Sequence, residues 1–155
     1  MRSRAPLVAI LTAVLLAACG SSPGVTVSIG GEPVTMTLAS VTQSTACSTN
    51  HGDLFPQAVP LTTVHLTAPL AMTLEAGQGA TEIRGAIYDV ETPSPSGGPI
   101  EEFTLPGRAG TYQSRSIVVG RTYSVTVNVR WSLLLKQGEE THIFRVRTEP
   151  ASAGG

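Results

Sequence analysis

From Val25 onward the chain alternates. Val25, Val27 and Ile29 are apolar, and Thr26 and Ser28 between them are polar. Gly30-Gly31 follows, and then Val34, Met36 and Leu38 alternate with Thr35 and Thr37. A period of two puts successive side chains on opposite faces of an extended strand, so each run reads as a half-buried strand. Two such runs about a Gly-Gly pair predict a hairpin. Further runs predict strands over 61–67, 70–75, 81–90, 100–105, 112–119, 123–135 and 141–148. Breakers separate most of them: Pro69, Gly77-Gln78-Gly79, the proline-rich 93–99 stretch, Pro106-Gly107, Gly120 and Gly138. Seven to nine short strands at regular spacing, with neither a helical period nor an internal repeat, predict an all-β antiparallel sandwich or barrel.

The longest alternation lies near the C-terminus. Tyr123, Val125, Val127, Val129 and Trp131 share one face, and Ser124, Thr126, Asn128, Arg130 and Ser132 share the other. Gly120-Arg121-Thr122-Tyr123-Ser124-Val125 resembles the start of a late strand in immunoglobulin-like sandwiches. In that family a tyrosine near the strand start bonds back to the preceding corner, so the resemblance implies an immunoglobulin-like fold with Tyr123 in that role. A four-residue connection between Leu135 and Glu140 predicts a particular register. Trp131 then faces Phe144 and Val129 faces Val146 on the buried side. Arg130 faces Arg145 and Asn128 faces Arg147 on the outer side.

Ahead of the strands the pattern changes. Two arginines, Arg2 and Arg4, precede a twelve-residue apolar run from Leu7 to Ala18. A bilayer core needs roughly 20 apolar residues, so this run is a secretory signal and not a span. Leu16-Ala17-Ala18-Cys19 resembles the lipobox of bacterial lipoproteins. That resemblance implies cleavage before Cys19, a diacylglycerol on its sulfur with acyl chains such as palmitate, and a mature protein held in the lipid bilayer. Two acyl chains suffice for stable anchoring. The expected organisation is a signal over 1–18, the lipidated cysteine and a short tether over 19–24, a β-sandwich over 25–149 and a tail over 150–155. The expected location is the bacterial cell envelope, on the outer face of the cytoplasmic membrane or on an outer membrane.

Composition changes this picture little. Removing residues 1–18 from the 155 leaves 137, enough for one domain with a core. Charged residues are only 14 % and hydrophobic ones 41 %, which excludes compositional disorder. Loss of Arg2 and Arg4 takes the formal charge from −1 to −3, which argues against nucleic-acid binding. With Cys19 lipidated, Cys47 has no cysteine to pair with and is expected to be buried and inert.

Candidate chemistry is sparse. Arg130, Arg145 and Arg147 form a candidate basic patch, since guanidinium groups suit phosphates and carboxylates. The competing expectation is neutralisation by Glu82, Glu101 or Glu102. Cys47, His51, His65 and His142 are the residue types that bind zinc or copper, but the Cys-x3-His spacing is loose and Asn50, Gly52 and Asp53 are ordinary turn residues. Glu101-Glu102 and Glu139-Glu140 are adjacent on strands, so the members of each pair point to opposite faces. No nucleophile elbow, phosphate loop or zinc helix is present, so no cofactor and no catalysis are expected. The 91–99 loop is exposed and available for contacts. The sequence therefore predicts a membrane-anchored, non-catalytic binding or assembly module with an envelope or extracellular protein partner. The alternative is a metal-handling protein using Cys47 and His51.

Overall fold

The computed structural model describes residues 23–45, 48–53, 59–66, 69–92 and 97–151. The 1–18 signal, Cys19, Cys47, part of the 91–99 loop and the end of the tail lie outside the described residues. Among the described residues there is no helix, and eleven strands run in order: β1 Val25–Ile29, β2 Glu32–Val34, β3 Thr37–Thr45, β4 Thr49–Asp53, β5 Leu61–Leu66, β6 Ala71–Ala76, β7 Ala80–Asp89, β8 Glu101–Pro106, β9 Ala109–Gln113, β10 Thr122–Leu133 and β11 Lys136–Pro150. They form an immunoglobulin-like sandwich of a four-stranded sheet, β2-β1-β6-β9, and a seven-stranded sheet, β4-β3-β11-β10-β7-β8, with β5 beside the second half of β11. Pairing is antiparallel except between β5 and β11.

Two strands exceed the sequence expectation for a physical reason. β3 is half-buried at every position and β4 is exposed at every position, so neither shows the alternation that marks a strand. They extend one edge of the larger sheet. The first hairpin turns at Gly30-Gly31 as expected, whose φ values of 60° and 89° suit the tight turn favoured between twisted strands. Its second strand, however, is Glu32–Val34, with Ile29 paired to Glu32, and the expected Val34–Leu38 run is divided between β2 and β3 of the other sheet.

The β10–β11 register corrects the expected one by six residues. Trp131 faces Gly138, Arg130 faces Glu139 and Asn128 faces Thr141, while Phe144, Val146, Arg145 and Arg147 face Val125, Tyr123, Ser124 and Thr122. Because six is even, every side chain keeps its face, and only the partners change. The polar run Lys136-Gln137-Gly138-Glu139, which suggests a loop, is strand. The connection is Leu134-Leu135, with Leu133 paired to Lys136. This register wins because Arg130 meets an acid in place of Arg145, and because Trp131 lies over a glycine. A Cβ on Gly138 would stand 2.7 Å from the indole Cζ2 and 2.2 Å from the Thr42 carbonyl oxygen. Leu134 has φ 54°, which costs a residue with a side chain about 1 kcal/mol.

The core fills the space between the sheets. Val27 and Ile29 of β1, Met72 and Leu74 of β6, Ile83 and Ile87 of β7, Val125, Val127 and Val129 of β10, and Phe144 and Val146 of β11 are buried together. Tyr123 is buried at the head of β10, and its hydroxyl accepts from the Val118 N–H at 3.0 Å and donates to the Val118 carbonyl at 3.4 Å. The corner expected from the sequence is therefore present. Thr148 ties it a second time, donating to the Val118 carbonyl at 2.7 Å. Tyr123→Phe removes the hydroxyl and leaves the Val118 N–H without this partner. It is expected to cost about 1.5 kcal/mol in urea unfolding, while Val118→Ala keeps both bonds and costs less at this corner.

The sandwich has two distinct poles. At the first, which we call proximal, the chain enters: the Gly77 N–H donates to the Gly24 carbonyl at 3.1 Å, and the β10–β11 tip lies at this same end. At the distal pole lie the 114–121 connection, the ends of β7 and β11, and the start of β10.

Candidate functional site

The most fully built polar cluster lies near the distal pole, on the connection between β9 and β10. Glu101 opens β8, and its carboxylate reaches across to the other sheet. It accepts from the Tyr112 hydroxyl, from Ser114 Oγ at 2.6 Å, from the Arg115 N–H at 3.0 Å and from the Ser116 N–H at 3.2 Å. Ser114 is itself buried, and its Oγ accepts from the N–H groups of Ser116 and Ile117. Burial alone would raise the Glu101 pKa. The bonds from Ser114, Tyr112 and the two backbone N–H groups together outweigh it and hold the carboxyl below its ordinary range. Burial, followed by the bond to and the charge of Glu101, pushes the Tyr112 hydroxyl up to about 12. The Tyr112 ring stacks on Phe103 at 4.3 Å between centroids. The result is a connection whose backbone is fixed at one end by Glu101 and at the other by Tyr123 and Thr148.

That fixed connection walls a groove of about 600 Å³, lined by Leu66, Pro69, Arg115, Ile117, Val118 and Val119 among others. Val118 and Val119 stand half exposed at 50 % and 47 %. Among the described residues no carboxylate lies within 4 Å of the Arg115 guanidinium. The groove is thus of mixed lining, with Gln113, Ser114 and the Arg115 cation beside apolar side chains, a composition suited to a partly apolar ligand bearing an acid.

A second network closes the distal end of β7. Asp89 Oδ1 accepts from the Glu91 and Thr92 N–H groups at 2.9 Å and 2.8 Å, and Arg121 donates to Oδ2 at 2.7 Å. The Thr92 N–H, with Arg121 and against burial, lowers the Asp89 pKa. Glu91 meets Arg147 at 3.6 Å. These bonds order the start of the 91–99 loop.

The expected basic patch is divided. Arg130 pairs with Glu139 and lies 3.6 Å from Glu82, the first of the carboxylates proposed to neutralise it. Glu101 does not join it, since that carboxylate holds the β9–β10 connection. Arg147 lies 3.6 Å from both Glu91 and Glu149. Arg145 and Arg147 pair with Ser124 and Thr122 at the start of β10, six and eight residues along that strand from Arg130, the partner of Glu139. Three arginines on one face therefore do not make one site.

The candidate metal ligands are also apart. His51 sits on the exposed edge strand β4, where its Nε2 meets Asp53 at 3.0 Å and its Nδ1 bonds Thr42 Oγ1 at 2.6 Å. His65 is on β5 opposite Glu149, and His142 is on β11 opposite Leu38. Among the described residues no three metal-ligating side chains cluster. Each adjacent acidic pair splits between faces as expected, and Glu140 is buried at 1 % with His142 Nε2 3.4 Å away.

Sequence reasoning missed the Glu101 clamp and the groove. One signal was available: Tyr112 and Ser114, two residues apart at the end of an alternating run, both carry hydroxyls that can donate to a carboxylate. The acid that joins them is thirteen residues away from Ser114 on the other sheet, and only the fold supplies it. Comparison with known proteins finds no match: no family model, no curated protein and no solved structure is similar to this chain.

Proposed function

We propose that the protein is a lipid-anchored, extracytoplasmic and non-catalytic binding module, whose distal groove takes an apolar segment of an envelope protein and meets its carboxylate with Arg115. One observation carries this reading. The described chain starts at Pro23 against Gly77 at the proximal pole, only four residues after the lipobox-like cysteine Cys19. Four residues reach about 14 Å at most. An acylated Cys19 therefore holds the proximal pole at the bilayer and turns the groove outward, toward other envelope components. The 114–121 wall of the groove is held by the Glu101 and Tyr123 bonds before any ligand arrives, which lowers the ordering cost of binding. Asp89, Arg121 and Arg147 at the same pole order the neighbouring loop rather than compete for the ligand.

Affinity capture of the intact lipidated protein from its native envelope tests this reading. The expected result is a stoichiometric protein partner whose affinity falls about a hundredfold in Val118→Asp/Val119→Asp, as for hot-spot residues of an interface, with both forms still in the membrane fraction. Equal recovery by both forms would remove the groove from the proposal. Stoichiometric zinc or copper in the captured protein, lost on Cys47→Ser or His51→Ala, would replace it with the metal-handling alternative.

A further inference from the structure

We infer that the β10–β11 tip, Leu133-Leu134-Leu135, inserts into the same bilayer that holds the acyl anchor, as a second contact in cis. This rests on the lipid-anchor reading above. Three observations converge on the tip.

The first is exposure. Leu134 and Leu135 are 88 % and 81 % exposed and Leu133 is 49 % exposed, and no other three consecutive described residues are large, apolar and this open. Isolated exposed leucines need no explanation, but three together on a protruding turn form a patch that water disfavours. The second is strain. Leu134 is the only non-glycine residue with positive φ among the described residues. The first position of a two-residue hairpin turn favours glycine, and the first hairpin of this same chain uses Gly30-Gly31. A leucine at a position that glycine suits better costs local stability, and strain of this kind clusters at functional positions.

The third is place, and it names the occupant. The Gly77 N–H bonds the Gly24 carbonyl at 3.1 Å, and the Ala80 N–H bonds the Gly77 carbonyl at 3.3 Å. The Ser132 N–H bonds the Gly79 carbonyl at 2.8 Å, and a Cβ on Gly79 would stand 3.4 Å from the Leu133 Cβ. The turn that receives the incoming chain is thus the turn that supports the tip. A tether of four residues from Cys19 reaches about 14 Å at most, so an acylated Cys19 keeps its chains within that distance of the turn that supports the tip. Lys136, the only lysine of the chain, follows the tip directly. Arg108 lies on the β8–β9 turn of the same pole, where its carbonyl bonds the Ala76 N–H. Apolar side chains flanked by cations suit an anionic bilayer surface, with leucines below the headgroups and the cations at them. The acyl chains fix position and the tip fixes orientation. With both engaged, the sandwich stands on its proximal pole and the distal groove faces away from the lipid.

Trp131 is the only tryptophan, two residues before Leu133 and 6 % exposed, so it reports the approach of bromine to the tip from just inside the sandwich, and the transfer rate reports the leucines themselves. The lipidated full chain is reconstituted into phosphatidylglycerol-phosphatidylcholine vesicles whose acyl chains carry bromine, and compared with Leu134→Gly/Leu135→Ser. Expected is quenching of Trp131 in the unsubstituted protein, no quenching in the variant, flotation of both with the vesicles, and transfer to acceptor vesicles about a hundredfold faster in the variant, about tenfold per leucine. Since glycine relieves the strain at 134, the variant is expected to unfold at no lower urea concentration, which excludes misfolding as the cause. Equal emission and equal transfer rates of both forms on floating vesicles overturn the tip proposal and leave the anchor standing. Failure of the unsubstituted protein to float overturns the anchor reading and the tip proposal together. Dimers or a captured protein that depend on the leucines, without quenching, would assign the tip to a protein surface and overturn insertion.

Discussion

Gly85→Val is expected to lower the unfolding free energy of the sandwich by about 3 kcal/mol, the upper end of what overpacking a core costs. Gly85 sits in the inward row of β7 between Ile83 and Ile87, where a large side chain would be ordinary. Its cross-strand partner is Phe103 of β8, and the phenyl ring lies over the glycine. A Cβ at this position would stand 2.0 Å from the ring Cζ and 2.3 Å from Cε1. The ring cannot simply move aside, because its other face is stacked on Tyr112 of the opposite sheet, and the Tyr112 hydroxyl is bonded to Glu101. Gly85, Phe103 and Tyr112 thus form one column through the sandwich, and a methyl at its base displaces all of it. Urea unfolding checks the expectation. Phe103→Leu in the Gly85→Ala background should recover part of the loss, because the two positions share one space and their effects do not add. Additive losses would show that the ring is not what the Cβ meets.

That column shows why parts of the fold were legible and others were not. The strands with strong alternation, β1, β6, β7 and β10, read directly from the chain, as did the Gly30-Gly31 turn and the Tyr123 corner. These signals are local, set within a few residues by backbone conformation and by which face is apolar. β3 and β4 were invisible because they lie at one edge of the larger sheet, where no face is fully buried and the sequence carries no period. The β10–β11 register failed in an instructive way. Polar Lys136-Gln137-Gly138-Glu139 looks like a turn and apolar Leu134-Leu135 looks like a continuing strand, and the molecule does the reverse. Face was predictable because face depends only on parity. Partner was not, because it depends on Gly138 accommodating the Trp131 ring and on Glu139 meeting Arg130.

The same division applies to the candidate site. Arginines and histidines drew attention through their chemistry, but composition alone does not place them together. Arg130, Arg145 and Arg147 share a face and are separated along it. The groove and its clamp arise from residues that are unremarkable in sequence: a glutamate at a strand start, a tyrosine and serine two apart, and two valines in a connection. Their meaning is entirely tertiary, because β8 and β9 lie on different sheets and are brought together by the fold at Glu101, at the Phe103–Tyr112 stack and where Leu105 packs on Gly110.

Glu101→Ala is accordingly expected to cost about 3 kcal/mol at neutral pH, because it removes several charge-assisted bonds at once and leaves buried Ser114 Oγ and the Tyr112 hydroxyl without their acceptor. The loss falls on the connection that walls the groove, so ligand capture should weaken together with stability. Its pH dependence has a definite sign. The folded carboxyl is held below its ordinary value, so its contribution is fully present above the unfolded value of about 4.3 and is lost as pH falls through the folded value. The stability gap between the unsubstituted protein and Glu101→Ala should therefore be constant near neutrality and narrow only in acid. Asp89, also lowered, adds acid sensitivity of the same sign, which both proteins retain. Tyr112 gives an independent readout. In the unsubstituted protein it should stay protonated until pH approaches about 12. In Glu101→Ala the contribution of the carboxylate disappears while that of burial stays, so the hydroxyl should ionise at lower pH without returning to the value of a free tyrosine. Urea unfolding across pH, with tyrosinate absorbance, measures both. An unchanged Tyr112 titration would mean that Glu101 does not hold the hydroxyl, and the groove wall would then need another support.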